Sequence, residues 1–206
     1  MNVFLYVLNT LSDWEIGYLT SEINSGRYFN NINQKINIIK VSSTTDSIYT
    51  MGGIEITPDN SIADITFKSG NILILPGGDT WLDKCNEDIV NMVPGLLKEN
   101  VLVAAICGAT VALAHRGILN NKKHTSNDKA YLKATCPCYT GEGLYINAPA
   151  VVDNNLITAT GLAPIDFSYE VFKKMNAMKV NTLEAWYHLY KTKESKYYYA
   201  LADSLK

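Results

Sequence analysis

Short apolar runs alternate along the chain with longer amphipathic stretches, and this alternation constrains the fold more than any other feature. Short apolar runs are typical of buried strands, and amphipathic stretches are typical of helices that cover a sheet. Strands are predicted over Val3–Leu8, Ile36–Val41, Ile54–Thr57, Ile72–Leu75, Val101–Ile106 and Leu156–Thr160. Helices are predicted from about Trp14 to Phe29, over Asp88–Glu99 and Ala109–Arg116, from Pro164 towards Met178, and over Thr182–Lys191. This order predicts βαβ units, a mostly parallel sheet and helices on both faces.

The rest of the chain fits a single domain. The polar, turn-rich stretch from Asn120 to Asn154 is expected to add a small antiparallel hairpin or flap to the sheet. A chain of 206 residues without an internal repeat or linker favours one domain over residues 1–206, with residues 182–206 as a C-terminal helical extension. The predicted fold class is therefore α/β, of the flavodoxin-like, doubly wound type.

Composition narrows the range of partners and locations. The formal net charge is −2 and no basic patch stands out, which argues against nucleic acid as a partner. The first residues lack a basic leader, and no stretch reaches transmembrane length, so we expect a cytoplasmic protein that does not bind membranes. The aromatic C-terminal segment around Trp186 and Tyr197–Tyr199 is expected to form a packed cap, and part of it is a candidate homodimer contact.

The four cysteines do not form a disulfide or metal-binding pattern. Cys136 and Cys138 are separated by a single residue, and a disulfide across that spacer would be strained. The nearest histidine, His124, is far along the chain, whereas a zinc site needs more ligands at suitable spacing. We expect no metal and no cofactor.

Cys107 is the strongest candidate for chemistry. It ends a fully apolar run and is followed at once by small residues and a helical pattern. A cysteine on a sharp strand-to-helix turn is raised out of the sheet, beside backbone N–H groups and a helix N-terminus. Such a field favours the thiolate, which is the reactive form. The alternative is that Cys107 is a small buried hydrophobic residue, as many free cysteines are.

Two further segments are expected to reach the same place. Glu15 follows the first strand and Gly77 and Gly78 follow a later one, and the carboxyl ends of neighbouring parallel strands converge on one crevice. A protonated Glu15 would donate a hydrogen bond to the thiolate or to an oxidised sulfur, and the glycines would offer N–H groups to an oxyanion. The alternatives are that Glu15 forms a capping box with Ser12, and that the glycines make an ordinary turn.

Two other residues are candidates outside these segments. His124 is the reserve candidate for a general base, because His115 lies too far along its helix from Cys107 and His188 is expected to be a packing residue. Asp166 is a candidate second acidic site residue, although an acidic residue in a first helical turn is also explained by the helix dipole alone.

Taken together, these motifs resemble the PfpI family of the class I glutamine amidotransferase-like superfamily. The resemblance runs from about Asn2 to Met178 and rests on Asp13-Trp14-Glu15, Leu75-Pro76-Gly77-Gly78, Ala105-Ile106-Cys107-Gly108-Ala109 and Thr158-Ala159-Thr160-Gly161. It implies that Cys107 is the nucleophile, that Glu15 is its carboxyl partner, and that the N–H groups of Gly78 and Gly108 bind an oxyanion.

The chain also departs from its relatives at the histidine positions. Protease-like members have a histidine directly after the nucleophile, where this chain has Gly108, and deglycase-like members have one where this chain has Asn127. Amidotransferase subunits carry a late His-x-Glu pair, where this chain has Pro164 followed by Ile165 and Asp166. These differences argue against peptidase and glutaminase activity.

Two functions remain open from the sequence. In the first, Cys107 adds to a small electrophilic substrate and Glu15 moves protons, as in hydrolase, hydratase or glyoxalase-like chemistry. In the second, the protein is a non-catalytic redox sensor or ligand-binding module in which Cys107 is oxidised and held by Glu15. The glycines favour the enzyme, and the missing histidine favours the sensor.

Overall fold

A seven-stranded sheet forms the centre of the computed structural model, which describes residues 1–31 and 36–206. Its strands, in spatial order, are β5 (Asn60–Ser61), β2 (Ile38–Ser42), β1 (Val3–Tyr6), β6 (Ile72–Leu75), β7 (Leu102–Ile106), β9 (Leu156–Ala159) and β8 (Ala150–Asp153). A separate antiparallel pair consists of β3 (Ile48–Tyr49) and β4 (Glu55–Ile56). The helices are α1 (Asp13–Ser25), α2 (Glu87–Lys98), α3 (Gly108–His115), α4 (Lys129–Thr135), α5 (Pro164–Met175), α6 (Val180–Thr192) and α7 (Ser195–Ser204).

The central strands are buried on both faces, which explains why their sequences are continuous apolar runs. Strand β1 pairs in parallel with β2 and β6, and β7 pairs in parallel with β6 and β9. Among the strands of the described residues that form this sheet, β8, at the edge, is the one that runs antiparallel to its neighbour. The predicted doubly wound, mostly parallel sheet with a small antiparallel hairpin is confirmed.

The stretch from Asn120 to Asn154 differs from the prediction. It contains helix α4, which the sequence did not indicate, and only its last residues form an antiparallel strand, β8. The helix was missed because it is short and buries a single residue, Leu132, so it has little apolar periodicity. Its start is nevertheless well defined, because the Asp128 carboxylate accepts a hydrogen bond from the N–H of Tyr131.

The C-terminal helices pack against the domain through a buried tryptophan. Trp186, in α6, is fully buried and makes edge contacts with Phe172 and Tyr18. Its indole N–H donates to Glu22, and that carboxylate also accepts two hydrogen bonds from Arg27, at 2.8 and 2.6 Å. The predicted packed cap is therefore present around Trp186, whereas it is wrong for Tyr198 and Tyr199, whose side chains are 60% and 66% exposed. In the described part of the chain, no helix is long and apolar enough to cross a bilayer.

Candidate active site

The loops after β1, β6 and β7 meet at one edge of the sheet. These three strands are neighbours and run in parallel, so their carboxyl ends point the same way. The first turn of α1, which follows β1, carries Glu15, whereas Gly77 follows β6 and Cys107 follows β7. A Cβ placed on Gly161, which follows β9, would lie 2.8 Å from the thiol sulfur and 3.0 Å from Glu15 Oε1. The thiol and the carboxyl are therefore side by side, as predicted.

Cys107 occupies a strained turn between β7 and α3. Its backbone has φ 57° and ψ −122°, which is rare for a residue with a side chain. The surrounding hydrogen bonds hold it there, because the N–H of Cys107 donates to Ala159 and its carbonyl accepts from the N–H of Thr110. The side chain is raised out of the sheet at the start of α3, which is the turn that the sequence predicted.

Glu15 is completely buried in the first turn of α1. Its Oε2 accepts a hydrogen bond from the N–H of Gly77 at 2.6 Å. In the described structure Oε1 has no hydrogen-bond partner, and the thiol lies beside it without being aligned as one. The capping box that the sequence offered as an alternative is not formed, because the Ser12 side chain makes no cap and contacts the sulfur of Met51. Glu15 therefore faces the thiol.

Burial dominates the protonation of this pair. It raises the pKa of Glu15, although the neighbouring Cys107 thiol and the hydrogen bond from the Gly77 N–H oppose the shift. Burial also raises the pKa of Cys107 to about 11; the hydrogen bond from Asn127 opposes this shift, and the charge of Glu15 adds to it. Burial and the charge of Glu15 therefore both oppose the thiolate that the strand-to-helix turn was expected to favour. At neutral pH the pair keeps a proton.

Asn127 supplies a third group at the sulfur. Its Nδ2 donates to Cys107 Sγ at 3.2 Å, and its Oδ1 accepts from the N–H of Gly161 at 2.7 Å. The second bond determines which end of the amide faces the thiol, because a backbone N–H can only donate. The sequence indicated this position as the one where relatives have a histidine. An amide cannot act as a base there, but it orients the sulfur.

We expect Asn127→Ala to raise the pKa of Cys107 further, because the hydrogen bond that stabilises the thiolate is lost. A neutral hydrogen bond of about 1 kcal/mol corresponds to a shift of just under one pKa unit, so alkylation of Cys107 near neutral pH should slow about five-fold. Mass spectrometry of the iodoacetamide-labelled peptide would measure this rate. The exposed Cys138 serves as an internal control whose labelling should not change. An unchanged rate at Cys107 would show that Asn127 does not act on the sulfur.

The two glycines after β6 have different roles. The N–H of Gly77 donates to Glu15 and is therefore not available to an oxyanion in this structure. Among the described residues, no acceptor takes the N–H of Gly78, which leaves it free for a ligand. Gly108 packs tightly on it, since a Cβ on Gly108 would lie 2.5 Å from the Gly78 carbonyl oxygen and 3.3 Å from its nitrogen. The N–H groups of Gly78 and Gly108 therefore remain the candidate oxyanion donors.

His124 and Asp166 are not brought into contact with the thiol. The carbonyl of Lys122 lies 2.7 Å from His124 Nδ1, so that nitrogen carries the proton, and Nε2 accepts from the Tyr139 hydroxyl at 2.8 Å. Both nitrogens of the buried ring are thus engaged elsewhere, and burial lowers the pKa of His124. Asp166 accepts from Tyr187 at 2.8 Å and pairs with Lys191 at 2.6 Å, which ties α6 to α5. In this structure, therefore, neither predicted site residue is placed at the thiol: the partners of His124 are Lys122 and Tyr139, and those of Asp166 are Tyr187 and Lys191.

A cleft of about 310 Å³ opens above Cys107. Its lining comprises Ser12, Trp14, Met51, Gly78, Asp79, Trp81, Leu82, Cys107, Gly108, Val111, Asn127 and Tyr131. Sequence reasoning missed the aromatic and aliphatic members of this set. Trp14 was visible between Asp13 and Glu15, but its direction depends on how α1 sits on the sheet. A cleft of this size suits a small molecule.

The fold and the site define a doubly wound α/β protein with a cysteine at a strand-to-helix elbow and a buried carboxyl beside it. Residues 1–174 match the DJ-1/PfpI family. The chain belongs to this family.

Relatives and solved structures agree with this assignment. The chain is 45% identical over 203 residues to "Uncharacterized protease YoaZ" of Bacillus subtilis (strain 168), covering 98% of this chain and 97% of the relative. It is 29% identical over 132 residues to "Glutathione-independent glyoxalase DJR-1.2" of Caenorhabditis elegans, covering 61% and 66%. The crystal structure of the thiJ/pfpI family protein from Bacillus anthracis superposes with a TM-score of 0.96 at 46% identity, covering 99% of this chain and 97% of that one.

Proposed function

We propose that this protein is a cysteine-dependent enzyme that acts on a small electrophilic carbonyl compound, with Cys107 as nucleophile and Glu15 as its acid/base partner. The observation that carries the proposal is the unpartnered Oε1 of Glu15 beside the thiol. A buried oxygen without a donor is costly, so its presence next to a nucleophile needs a reason. Accepting the thiol proton during the reaction provides that reason.

In the first step the sulfur adds to the carbonyl carbon. As the C–S bond forms, the S–H proton passes to Glu15 Oε1 and the carbonyl π electrons move to the oxygen. The raised pKa of Cys107 means that proton transfer accompanies attack and does not precede it. The N–H groups of Gly78 and Gly108 would bind the developing oxyanion, which then takes this proton back from Glu15 to give a hemithioacetal and leave Glu15 as a carboxylate.

Glyoxalase-like chemistry completes the reaction with the groups present. With an α-oxoaldehyde, Glu15 would remove the proton from the hemithioacetal carbon and return it to the neighbouring carbon through an enediolate. The hydroxyl proton of the hemithioacetal passes to the oxygen of that neighbouring carbon, so that the hemithioacetal oxygen becomes the thioester carbonyl. The product of this shift is a thioester of a 2-hydroxy acid, and water hydrolyses it to the acid and the free thiol. One molecule of water is consumed and no external oxidant or reductant is needed. A relative named as a glutathione-independent glyoxalase supports this choice.

Peptide hydrolysis receives less support from the same site. A departing amine needs a proton donor, and a histidine commonly serves this purpose. Within residues 1–31 and 36–206, no imidazole hydrogen-bonds to Cys107, because both nitrogens of His124 have other partners. Hydratase chemistry shares the addition step and differs only in the later steps.

We expect Cys107→Ser to reduce consumption of an α-oxoaldehyde to the background rate without unfolding the protein, because serine keeps the size of the side chain but is a far weaker nucleophile. Loss of the aldehyde and formation of the 2-hydroxy acid would be followed by chromatography, and folding by circular dichroism. Cys85→Ser is the matched control, since Cys85 is an exposed thiol outside the cleft. Full turnover by Cys107→Ser would reject the proposal.

Oxidation of Cys107 is the second candidate function. A protonated Glu15 would donate a hydrogen bond from Oε1 to a sulfinate oxygen, which the unpartnered oxygen allows. Peroxide, however, reacts with the thiolate, and the raised pKa keeps the thiolate scarce at neutral pH. Preferential oxidation of Cys107 over the other cysteines under mild peroxide, seen by peptide mass analysis, would favour the sensor.

A further inference from the structure

The wall of the cleft above Cys107 is apolar and lacks a positive charge. Among the described residues that line it, none is Lys, Arg or His, and Asp79 is the only acidic one. The other polar groups of the lining include the hydroxyls of Ser12 and Tyr131, the amide of Asn127 and the N–H groups of the glycines, all of them uncharged. Glu15 adds a second carboxyl beneath the sulfur.

Large apolar side chains stand around the mouth of this cleft. Trp14, Leu82 and Tyr131 are each more than half exposed, and Met51 is 42% exposed. They come from different parts of the chain. Trp14 lies in α1 and Tyr131 in α4, whereas Met51 is in the loop after β3 and Leu82 is in the loop after β6. Exposed apolar side chains scattered singly are ordinary, but their convergence on one small cleft marks a binding surface.

We propose that this site selects uncharged carbonyl compounds that carry one aromatic or branched apolar group, and that it rejects carboxylate-bearing ones. The inference rests on the proposed function and narrows its substrate class. The carbonyl would lie over Cys107 between the glycine N–H groups, and its apolar group would lie against Trp14, Leu82 and Tyr131. An aryl α-oxoaldehyde meets this description, and a volume of about 310 Å³ accommodates one ring and a two-carbon unit.

Rejection of anions follows from the same lining. A carboxylate entering the cleft would lose water without gaining a cationic partner. It would also approach Asp79 and Glu15, whose charges oppose it within a partly desolvated space. A neutral aryl group replaces water on apolar surface instead, which is favourable.

Covalent labelling tests the charge selectivity without any turnover. Iodoacetamide and iodoacetate are nearly the same size and differ in charge, so the ratio of their rates at Cys107 reports on the cleft. The folded protein is labelled, then digested, and mass spectrometry of its peptides measures the rate ratio at Cys107. The corresponding ratio at the exposed Cys138 is the internal control. We expect the preference for the neutral reagent to be at least ten-fold greater at Cys107 than at Cys138. Equal ratios at the two thiols would overturn the proposal.

Paired variants test the apolar wall. N-benzyl iodoacetamide should label Cys107 at least five-fold faster than iodoacetamide, and Trp14→Ala or Tyr131→Ala should remove most of this advantage. Tyr198→Ala is the control, since Tyr198 is 60% exposed on α7 and does not line the cleft. Asp79→Lys should increase labelling by iodoacetate. An advantage that persists in both aromatic variants would overturn the proposal.

The labelling results separate this inference from the proposed function. If the native protein fails to convert aryl α-oxoaldehydes but still labels selectively, the catalytic proposal fails and the selectivity of the cleft stands. If it turns over small anionic aldehydes as fast as aryl ones and labels without selectivity, the substrate class is wrong, whereas the role of Cys107 is retained.

Discussion

Replacing Glu15 by glutamine is expected to lower α-oxoaldehyde turnover by about 10³-fold, within the range typical of a lost general acid/base. Glutamine keeps the shape of the side chain, and its amide oxygen can still accept the hydrogen bond from Gly77. It cannot take the proton of Cys107 or carry one between two carbons. Steady-state kinetics would measure the loss, with Cys107→Ser as the reference for background. Turnover within ten-fold of the native rate would remove Glu15 from the mechanism.

The same variant should lower the pKa of Cys107, which distinguishes the loss of a base from damage to the site. In the native protein the charge of Glu15 adds to burial and raises the pKa of the thiol to about 11. Glutamine removes that charge, whereas Asn127 still donates to the sulfur. The thiolate absorbance, measured as a difference against Cys107→Ser, should therefore appear at lower pH. A variant with faster alkylation and slower turnover is the expected combination.

Stability should change in the opposite direction from activity. The pKa of Glu15 is raised in the folded protein, so the stability linked to this group is fully present below the unfolded pKa, about 4.3, and is lost as the pH rises through the folded value. Glu15→Gln should therefore be more stable than the native protein at pH 7, and the difference should vanish towards pH 4. Urea unfolding at several pH values would measure it.

Glu22 offers a matched comparison on the same helix. It is also buried, but Arg27 donates two hydrogen bonds to its carboxylate and Trp186 a third. Glu22→Gln should therefore lower the free energy of unfolding, because it leaves these donors without a charged acceptor. If Glu15→Gln raises the free energy of unfolding and Glu22→Gln lowers it, the carboxyl of Glu15 serves the reaction and reduces stability. A loss of stability in both variants would contradict this assignment.

The convergence of Cys107, Glu15 and the glycines was predictable because it follows from strand order. Cys107 and the glycines follow a strand at once, and Glu15 lies in the first turn of the helix after β1. Strand ends can be identified from local apolar runs. The elbow at Cys107 was also visible, since an apolar strand and a helical pattern meet at one residue with small neighbours. Because β1, β6 and β7 are adjacent parallel strands, the segments that follow them meet at one edge of the sheet, whatever the detailed conformation of each segment.

Side-chain direction within the loops was not predictable to the same extent. Which of Gly77 and Gly78 keeps a free N–H depends on which N–H points at Glu15. The orientation of a single peptide group decides this. His124 and Asn127 are close in sequence, yet one binds Tyr139 and the other the thiol. The raised pKa of Cys107 reflects burial by distant segments, which no local motif encodes. These features depend on tertiary packing.

Gly161 is expected to be as sensitive to substitution as the catalytic pair, although it carries no reactive group. A Cβ there would lie 2.8 Å from Cys107 Sγ and 3.0 Å from Glu15 Oε1, closer than such atoms approach in folded proteins without movement. The backbone of Gly161 is not in the left-handed region, so an alanine there would not strain the backbone. The substitution is prevented by the contact of the new Cβ with Cys107 and Glu15. Gly161→Ala must therefore displace the thiol, the carboxyl or the loop that Asn127 holds through the Gly161 N–H.

We expect Gly161→Ala to reduce turnover by at least 10²-fold, because a misplacement of about 1 Å at reacting atoms has an effect of this size. Kinetics would be measured together with unfolding curves, so that a loss of activity in a folded variant is recognised. Gly17→Ala and Gly95→Ala are matched controls: nothing lies within 4 Å of a Cβ at either position, and both are helical. Each should keep full activity and gain up to about 1 kcal/mol from helix propensity. Native turnover in Gly161→Ala would mean that sulfur and carboxyl need not be held together, and the proton transfer proposed between them would lose its structural basis.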